Sequence, residues 1–378
     1  MKRILAFLSL VVLCCAEASA QTPQPLYPDG KFDGDNGLDS SVTADRDGVR
    51  FGVAVPDYFL FRPAPDKANG QCVVVLPGGG YGCVCYQREG IDVARWLNEN
   101  GITAVVLRYR MPNGHSEIPL TDVRRMFRTV RENAAEWGID PCQVGVMGFS
   151  AGGHLAASAL TLFEFSYARP DFGILIYPVI TMQDGFSHGG SRDNLMGKDP
   201  SEDLIRRFST ERHIVAATEH TPATSPCFIA LSSDDEVVPT RNSTMFYDSL
   251  CSKGVPAELH VYPTGRHGWI GDFVYWDEYH ASLSRWLKQL RQKAAAADTA
   301  CPKLSRERRT AVLRIVMPTG MVLRPAISIT SAVSAGNAGG VRAGQRPNGI
   351  GIFRVFAKNA VNLENRKSLF TFVLSKRF

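Results

Sequence analysis

Ser150 is the residue of this 378-residue chain whose setting most clearly suggests nucleophilic chemistry. It is the centre of a Gly-x-Ser-x-Gly motif at residues 148–152, with a short apolar run before it and a good helix-forming segment after it. This order predicts a tight strand-to-helix turn, in which glycines suit the strained, closely packed backbone. The expected chemistry is attack by the Ser150 hydroxyl. The Ala151 amide, at the helix N-terminus, would face developing negative charge.

The motif alone is weak support, because Gly, Ser and Ala are common enough to produce chance matches in a long chain. A carboxylate and a histidine that follow in the order Ser, Asp, His strengthen it. The apolar run 227–231 leads through two serines into Asp234 and Asp235. One of these two carboxylates is expected to orient a histidine, and both stay candidates on the local pattern alone.

His267 is the predicted base. It follows the apolar run 258–262, and glycines stand on both sides of it in Gly-Arg-His-Gly, as suits an exposed loop histidine. An imidazole can accept the serine proton and later give it to the leaving group, provided that a carboxylate fixes its tautomer. His154, on the helix after Ser150, is expected to pack or face away. Surface or structural roles are expected for the remaining histidines, which are His115, His188, His213, His220, His260 and His280.

A glycine loop at residues 77–81, Pro-Gly-Gly-Gly-Tyr, directly follows the apolar run 72–76. Residues without side chains let backbone amides approach a substrate carbonyl. Gly79 and Gly80, together with Ala151, are therefore predicted to form an oxyanion hole. Neither a Gly-x-x-x-x-Gly-Lys-Ser/Thr motif nor a Gly-x-Gly-x-x-Gly motif with an acidic partner is present here, so nucleotide binding is excluded.

Short apolar runs alternate with amphipathic segments from residue 72 onward, which predicts an α/β fold with a mostly parallel central sheet and helices on both faces. The predicted strands are 72–76, 103–109, 143–147, 173–177, 227–231 and 258–262. The predicted helices are 91–98, 121–137, 152–162, 240–253 and 275–293. We predict a small cap insertion at about residues 181–225, between the predicted strands 173–177 and 227–231. This connection is long for a compact domain and rich in Gly, Asp, Ser and Arg. We expect it to shape a substrate pocket, the alternative being a surface insertion without function.

The two ends of the chain differ from its middle. Residues 1–20 have the form of a signal peptide, with Met-Lys-Arg, an apolar run and Ala-Ser-Ala, which predicts a mature protein that starts at Gln21 and is exported to the periplasm or secreted. A lipoprotein anchored at Cys14 or Cys15 is disfavoured by Leu13, and no later stretch predicts membrane insertion. Residues 21–295 are the predicted catalytic domain. Residues 296–378 form a basic C-terminal extension, since the last 78 residues carry a net charge of +12 and the first 300 carry −7. It is a disordered extension, a small module, or sequence outside the natural domain.

Seven cysteines remain beyond the signal segment, an odd number without a Cys-x-x-Cys spacing. This favours buried thiols over a disulfide framework or a zinc site, and neither a metal nor a cofactor is predicted. Cys83 and Cys85 differ in position because they follow the glycine loop.

Seven motifs together resemble the acetyl xylan esterase and feruloyl esterase-like branch of the α/β-hydrolases, over roughly residues 70–290. They are Pro-Gly-Gly-Gly-Tyr (77–81), Glu-Gly (89–90), Leu-Arg-Tyr-Arg (107–110), Gly-Phe-Ser-Ala-Gly-Gly-His-Leu (148–155), Gly-Gly-Ser-Arg-Asp-Asn-Leu-Met-Gly (189–197), Asp-Asp-Glu-Val-Val-Pro (234–239) and His-Gly-Trp (267–269). The resemblance implies an exported enzyme that removes acetyl or feruloyl-type groups from plant polysaccharides such as xylan. The implied partner is thus an acylated oligo- or polysaccharide.

The resemblance also implies a triad of Ser150, His267 and Asp235, because similar hydrolases place the acid in an Asp-x-Val-Val-Pro segment; Asp234 is the alternative. Cys83 and Cys85 depart from the family pattern near the acyl pocket. The alternative functions are a small-molecule esterase, formamidase or lactonase, and a non-catalytic carbohydrate-binding protein on the same fold. No nucleic-acid partner is expected, although the positive charge of the extension could dock on polyanions. The chain is too short for the propeller of a prolyl oligopeptidase.

Overall fold

The computed structural model of the protein describes residues 22–163, 166–218, 222–271 and 273–297, together with three short strands, 342–344, 352–354 and 371–373. The chain divides into two compact units, Met1–Ala296 and Ala297–Phe378. The predicted signal peptide, residues 1–20, lies outside the described residues, as does most of the basic extension. Within the described part, no helix is both long and apolar enough to cross a membrane.

An eight-stranded sheet forms the centre of the first unit, in the order β1-β4-β7-β5-β8-β9-β10-β11. Its strands are β1 Gln24–Pro25, β4 Asp57–Phe61, β5 Cys72–Leu76, β7 Thr103–Arg108, β8 Val144–Phe149, β9 Gly173–Ile176, β10 Cys227–Ser232 and β11 Ala257–Tyr262. All neighbours from β7 to β11 pair in parallel, whereas β4 pairs antiparallel with both β1 and β7. Strands β2 Ala44–Arg46, β3 Val49–Phe51 and β6 Cys83–Val84 form a small separate sheet.

Helices cover both faces of the large sheet. They are α1 Asp92–Glu99, α2 Ile118–Glu132, α3 Ala134–Trp137, α4 Ser150–Thr161, α5 Gly189–Met196, α6 Glu202–Phe208, α7 Arg241–Ser252 and α8 Trp276–Ala297. Alternate residues of β5 divide between two hydrophobic cores. Val74 belongs to the core that contains residues of α2, α4 and α7, and Val73 belongs to the core that contains residues of α1 and α8. A parallel strand buried on both faces must be apolar throughout, which explains its Cys-Val-Val-Val-Leu sequence.

The predicted α/β-hydrolase architecture is thus confirmed, with local corrections. The helix predicted at 121–137 is two helices, α2 and α3, because the backbone leaves the helical conformation at Asn133. The helix predicted from residue 152 begins two residues earlier, at Ser150 itself. The four strands before residue 62 were not predicted. The insertion at about 181–225 contains α5, α6 and a 3₁₀ turn, Thr210–His213.

The Leu-Arg-Tyr-Arg motif at the end of β7 holds three parts of the fold together. Arg108 makes a bidentate ion pair with Asp57 of β4, with N–O distances of 2.5 and 2.6 Å. Arg110 is buried and pairs with Asp122 of α2, at 2.7 Å. Between them, the Tyr109 hydroxyl donates a 2.7 Å hydrogen bond to the carbonyl oxygen of Pro77. The motif therefore fixes the base of the glycine loop.

The described residues of the second unit are three antiparallel strands, β12 Arg342–Gly344, β13 Ile352–Arg354 and β14 Thr371–Val373, with β13 in the middle. They belong to the predicted basic extension.

Candidate active site

Ser150 lies at the junction of β8 and α4, where the strand gives way to the helix without an intervening loop. Its φ is +53°, a left-handed conformation that non-glycine residues rarely adopt. Steric fit holds it there: a Cβ atom on Gly152 would lie 2.1 Å from the carbonyl oxygen of Leu76 in β5. The missing side chain lets α4 approach the sheet, and the turn presents the serine hydroxyl above the carboxyl ends of the strands.

His267 joins the two other predicted residues. Its Nε2 is 2.8 Å from the Ser150 hydroxyl oxygen, and its Nδ1 is 2.7 Å from an Asp235 carboxylate oxygen. An ionised carboxylate only accepts hydrogen bonds, so Nδ1 carries the proton and Nε2 of the neutral ring accepts from the serine hydroxyl. The structure therefore brings Ser150, His267 and Asp235 into one hydrogen-bonded chain, although they are far apart in the sequence.

The two neighbouring carboxylates after β10 have different partners. The Asp235 side chain is 1% exposed, and its second oxygen accepts hydrogen bonds from the amides of Val237 and Val238, both at 2.9 Å. Asp234 instead accepts from the amides of Gly265 and Arg266, at 3.2 and 2.8 Å. Asp235 thus contacts the imidazole, and Asp234 holds the backbone of the loop that carries it.

The three predicted oxyanion-hole residues lie on the two segments beside Ser150. Gly79 and Gly80 have φ values of +132° and +61°, and Ala151 is the second residue of α4. Among the described residues, none of these three backbone N–H groups donates to a protein acceptor. The first amides of a helix lack partners within it, so that of Ala151 is available to a bound oxygen atom. These amides can stabilise an oxyanion.

Contacts from three directions hold the glycine loop. The Gly79 carbonyl accepts hydrogen bonds from the amides of Gly82 and Cys83, at 3.0 and 3.1 Å. Asn194 of α5 donates from its side chain to the Gly80 carbonyl, at 2.8 Å. The Tyr81 hydroxyl is 2.7 Å from Nδ1 of the buried His154, whose Nε2 is 2.7 Å from the carbonyl oxygen of Phe208. His154 therefore packs beneath the loop, in agreement with the packing role expected for it.

Glu89 is a polar residue of the site that sequence reasoning left without a role. One of its carboxylate oxygens accepts a 2.6 Å hydrogen bond from the Gly78 amide, and the other accepts a 2.9 Å hydrogen bond from the Tyr177 hydroxyl. The Tyr177 ring contacts the His267 ring edge to face, with centroids 4.9 Å apart. Burial raises the pKa of Glu89, and these two hydrogen bonds and the nearby imidazole oppose the rise. Only the Glu-Gly motif signalled this residue in the sequence.

The cap insertion contributes His188 to the neighbourhood of the site. Its Nδ1 accepts a 3.3 Å hydrogen bond from the Ser191 amide and lies 2.8 Å from the Ser191 hydroxyl, at the start of α5. Burial and then the nearby His267 lower the pKa of His188, so the neutral ring is favoured. A Cβ atom on Gly80 would lie 3.8 Å from its ring. His188 thus lies beside the glycine loop, a position that the sequence did not predict.

Cys83 and Cys85 are both free and partly buried next to this loop. The Cys83 thiol is 3.5 Å from the Gly79 carbonyl oxygen, and the Cys85 amide donates to the Gly78 carbonyl. In the described part of the chain, no group of three or more His, Cys, Asp or Glu side chains could hold a metal ion.

Comparison with known proteins identifies the family. The model of a family with the alpha/beta hydrolase fold matches residues 73–271. An acetylxylan esterase of Xylanibacter ruminicola is 39% identical over 245 residues, which are 63% of this chain and 49% of that protein. Endo-1,4-beta-xylanase B of Butyrivibrio fibrisolvens is 36% identical over 228 residues, or 57% and 34% of the two chains. The chain thus spans half or less of these curated relatives.

A solved structure extends the likeness to nearly a whole protein. The acetyl ester-xyloside bifunctional hydrolase of Caldicellulosiruptor lactoaceticus superposes with a TM-score of 0.59 at 33% identity, and the match covers 71% of this chain and 96% of that one. The residues matched by the family model include Ser150, Asp235 and His267. This protein belongs to the α/β-hydrolase family.

Proposed function

We propose that this protein is a serine carboxylic-ester hydrolase that removes acetyl groups from xylan. The single observation that carries the chemistry is the hydrogen-bonded chain from the Ser150 hydroxyl through His267 to Asp235. Likeness to proteins named as acetylxylan esterase and as acetyl ester-xyloside hydrolase supports the choice of ester.

In the acylation step, the Ser150 oxygen attacks the ester carbonyl carbon while His267 Nε2 takes the hydroxyl proton. The amides of Gly79, Gly80 and Ala151 stabilise the negative oxygen of the tetrahedral intermediate. His267 then gives its proton to the sugar oxygen as the bond from carbon to that oxygen breaks. Asp235 holds the Nδ1 proton and stabilises the imidazolium throughout.

In the deacylation step, His267 removes a proton from water, which attacks the acyl carbon of the Ser150 ester. The second tetrahedral intermediate collapses when His267 returns the proton to the serine oxygen. The products are the free carboxylic acid and the restored enzyme.

The acyl group is proposed to be acetyl rather than feruloyl, on the strength of the named relatives alone. We further propose that the protein acts outside the cytoplasm, since residues 1–20 have the pattern of a signal peptide and an intact polymer such as xylan does not enter cells.

Hydrolysis of p-nitrophenyl acetate by the wild type and by Ser150→Ala tests the chemistry. We expect kcat/KM to fall by at least roughly 10⁴-fold, because nucleophile removal in triad enzymes has effects of that size. The matched control is Ser158→Ala, on the same helix: Ser158 is also buried, and its hydroxyl has no hydrogen-bond partner in the described structure. Equal turnover by the wild type and Ser150→Ala would reject the proposed nucleophile.

A second measurement tests the substrate. Release of acetate from acetylated xylan is compared with release of ferulate from feruloylated arabinoxylan at equal enzyme concentration. Acetate release alone supports the proposal. Ferulate release alone would contradict the acetyl proposal and indicate a feruloyl substrate. If the enzyme hydrolyses p-nitrophenyl acetate but releases neither acid from the polysaccharides, its substrate is a small-molecule ester.

A further inference from the structure

Glu89 is a largely enclosed carboxylate that the proposed reaction does not use. It lies in a single π-helical turn, Gln87–Ile91, which leads into α1. Such turns are rare and occur frequently at functional sites. Glu89 lines a cavity of about 250 Å³, whose walls also include Trp96 and Trp276.

The two hydrogen bonds of Glu89 reach opposite halves of the site. Gly78, which donates to one oxygen at 2.6 Å, directly precedes the two glycines of the proposed oxyanion hole. A Cβ atom on Gly78 would lie 3.0 Å from the Ser150 Cβ, so this amide is also close to the nucleophile. Fixing Gly78 therefore fixes the direction of the next two amides.

The other oxygen acts through Tyr177. This tyrosine donates its hydroxyl at 2.9 Å and lays its ring against His267, and its own backbone is strained, with a φ of +37°. A rigid tyrosine limits the rotation of the imidazole toward the cavity. One carboxylate thereby connects the oxyanion side and the base side of the site.

The charge of Glu89 also acts on the imidazolium that forms in both steps. The ionised carboxylate accepts both hydrogen bonds, and a negative charge near an imidazolium stabilises it. Other ionisable groups interact with Glu89 or His267; they are Arg88, Asp235, Tyr177, His188, Cys83, Cys85 and Tyr109. Asp235 contacts the imidazole at Nδ1, and the Glu89 carboxylate is near enough to the imidazole to interact with its charge.

We propose that Glu89 is a positioning residue of the esterase: it fixes the glycine loop and the Tyr177 ring, and its charge stabilises the imidazolium that forms at His267 during turnover. This inference rests on the proposed function. A residue of this kind affects turnover more than substrate binding, because a misdirected oxyanion donor stabilises the transition state less while it changes the binding of the substrate little.

The test measures kcat, KM and the pH profile of kcat/KM with p-nitrophenyl acetate. Glu89→Gln keeps the size of the side chain and removes its charge. We expect kcat to fall about 30-fold with KM within about threefold, since small misplacements in an active site cost up to roughly 100-fold. The acid limb of the profile, which reports protonation of the base, should move to lower pH because the imidazolium loses a nearby negative charge.

Glu89→Asp separates position from charge. The shorter side chain keeps the charge but does not reach both partners, so we expect kcat to fall while the acid limb stays at the wild-type pH. The matched control is Asp92→Asn, which neutralises a half-exposed carboxylate one turn along the chain. Among the described residues, the side chain of Asp92 accepts hydrogen bonds from Gln87 and Arg95 and from no group of the triad or the glycine loop. Its kcat and acid limb should equal those of the wild type.

The inference would be overturned if Glu89→Gln had the kcat and the acid limb of the wild type. It would also be overturned if Glu89→Gln had a lower melting temperature but an unchanged kcat per folded molecule. Should Glu89→Gln fail to fold, a wild-type kcat in Glu89→Asp would overturn it. A wild type without Ser150-dependent turnover would overturn the proposed function and this inference together. Normal wild-type turnover with unaffected Glu89 variants would overturn the inference alone.

Discussion

The serine side and the histidine side of the site are built in different ways. The serine side, the turn at Ser150 with the glycine loop, depends on missing side chains: Gly152 and Gly79 allow contacts of backbone on backbone. The histidine side, loops 233–239 and 263–269, depends on carboxylates, with Asp235 on the imidazole and Asp234 on two amides. Close contacts of backbone distinguish the serine side, which also has the Glu89 hydrogen bond at Gly78, and carboxylate acceptors distinguish the histidine side.

This difference predicts which changes each side tolerates. A close-packed region is damaged by added atoms, because its neighbours are backbone and do not move aside. A hydrogen-bonded loop is damaged when an acceptor is removed, because the donor is left without a partner.

Asp235→Asn changes only charge and hydrogen bonding on the histidine side. We expect kcat for p-nitrophenyl acetate to fall by about 10³- to 10⁴-fold, since an amide in place of this carboxylate leaves the imidazole in the wrong tautomer. Asp248→Asn, on the exposed face of α7, is the control and should keep wild-type turnover. A loss below tenfold in Asp235→Asn would show that charge does not hold this side.

Gly79→Ala adds a single carbon on the serine side. Its Cβ would lie 2.3 Å from the Cys83 carbonyl oxygen, and the residue has a φ of +132°. The loop must shift, so we expect kcat to fall by about 100-fold, the effect of losing one oxyanion donor. Gly197→Ala is the control, because Gly197 also has a positive φ but has open space around it. Similar kcat values in the two variants would mean that the clash has no catalytic consequence.

Asp234→Ala removes the acceptor for the Gly265 and Arg266 amides without touching the imidazole. We expect kcat to fall about tenfold, because the histidine loop loses two hydrogen bonds worth roughly 1 kcal/mol each and His267 samples more positions. Comparison with Asp235→Asn under the same conditions is the measurement. A larger loss in Asp234→Ala than in Asp235→Asn would reverse the roles of the two carboxylates.

The sequence predicted the parts of this molecule that follow from strong periodicity. The buried parallel strands are continuous apolar runs, and their carboxyl ends meet at one sheet edge, so residues that follow them converge. This reasoning anticipated that Ser150 and His267, far apart in sequence, would come together. It failed for β1–β3, which have two or three residues and lie at the edge or in a separate sheet. It also failed for β4, which pairs antiparallel with β1 and β7 instead of following the parallel pattern.

Neighbouring residues of the same type were the other limit. Asp234 and Asp235 differ in the direction of their side chains, and only the family resemblance, through the Asp-x-Val-Val-Pro segment, singled out Asp235. The role of Glu89 depends on Tyr177, which is 88 residues away in the sequence, and His188 lies 108 residues from Gly80 of the glycine loop. Such roles became visible only when the backbone brought the partners together.

The smallest expected effect concerns the buried histidine of the serine side. His154 is fully buried between Tyr81 and the Phe208 carbonyl, and burial lowers its pKa from 6.5 to about 4. It is neutral in the folded protein and protonates more readily when the chain unfolds. Between pH 6.5 and pH 4 the unfolded state therefore binds more protons, and stability falls as the pH falls.

From pH 8 to pH 6 this histidine should remove about 1 kcal/mol from the free energy of unfolding. Urea denaturation at both pH values measures the loss. His154→Gln can still donate a hydrogen bond to the Phe208 carbonyl but does not titrate. Its free energy of unfolding should therefore fall by about 1 kcal/mol less than that of the wild type between pH 8 and pH 6. An equal loss in the wild type and His154→Gln would mean that His154 does not contribute to the pH dependence. Burial of this imidazole on the serine side would then not lower the free energy of unfolding at acidic pH.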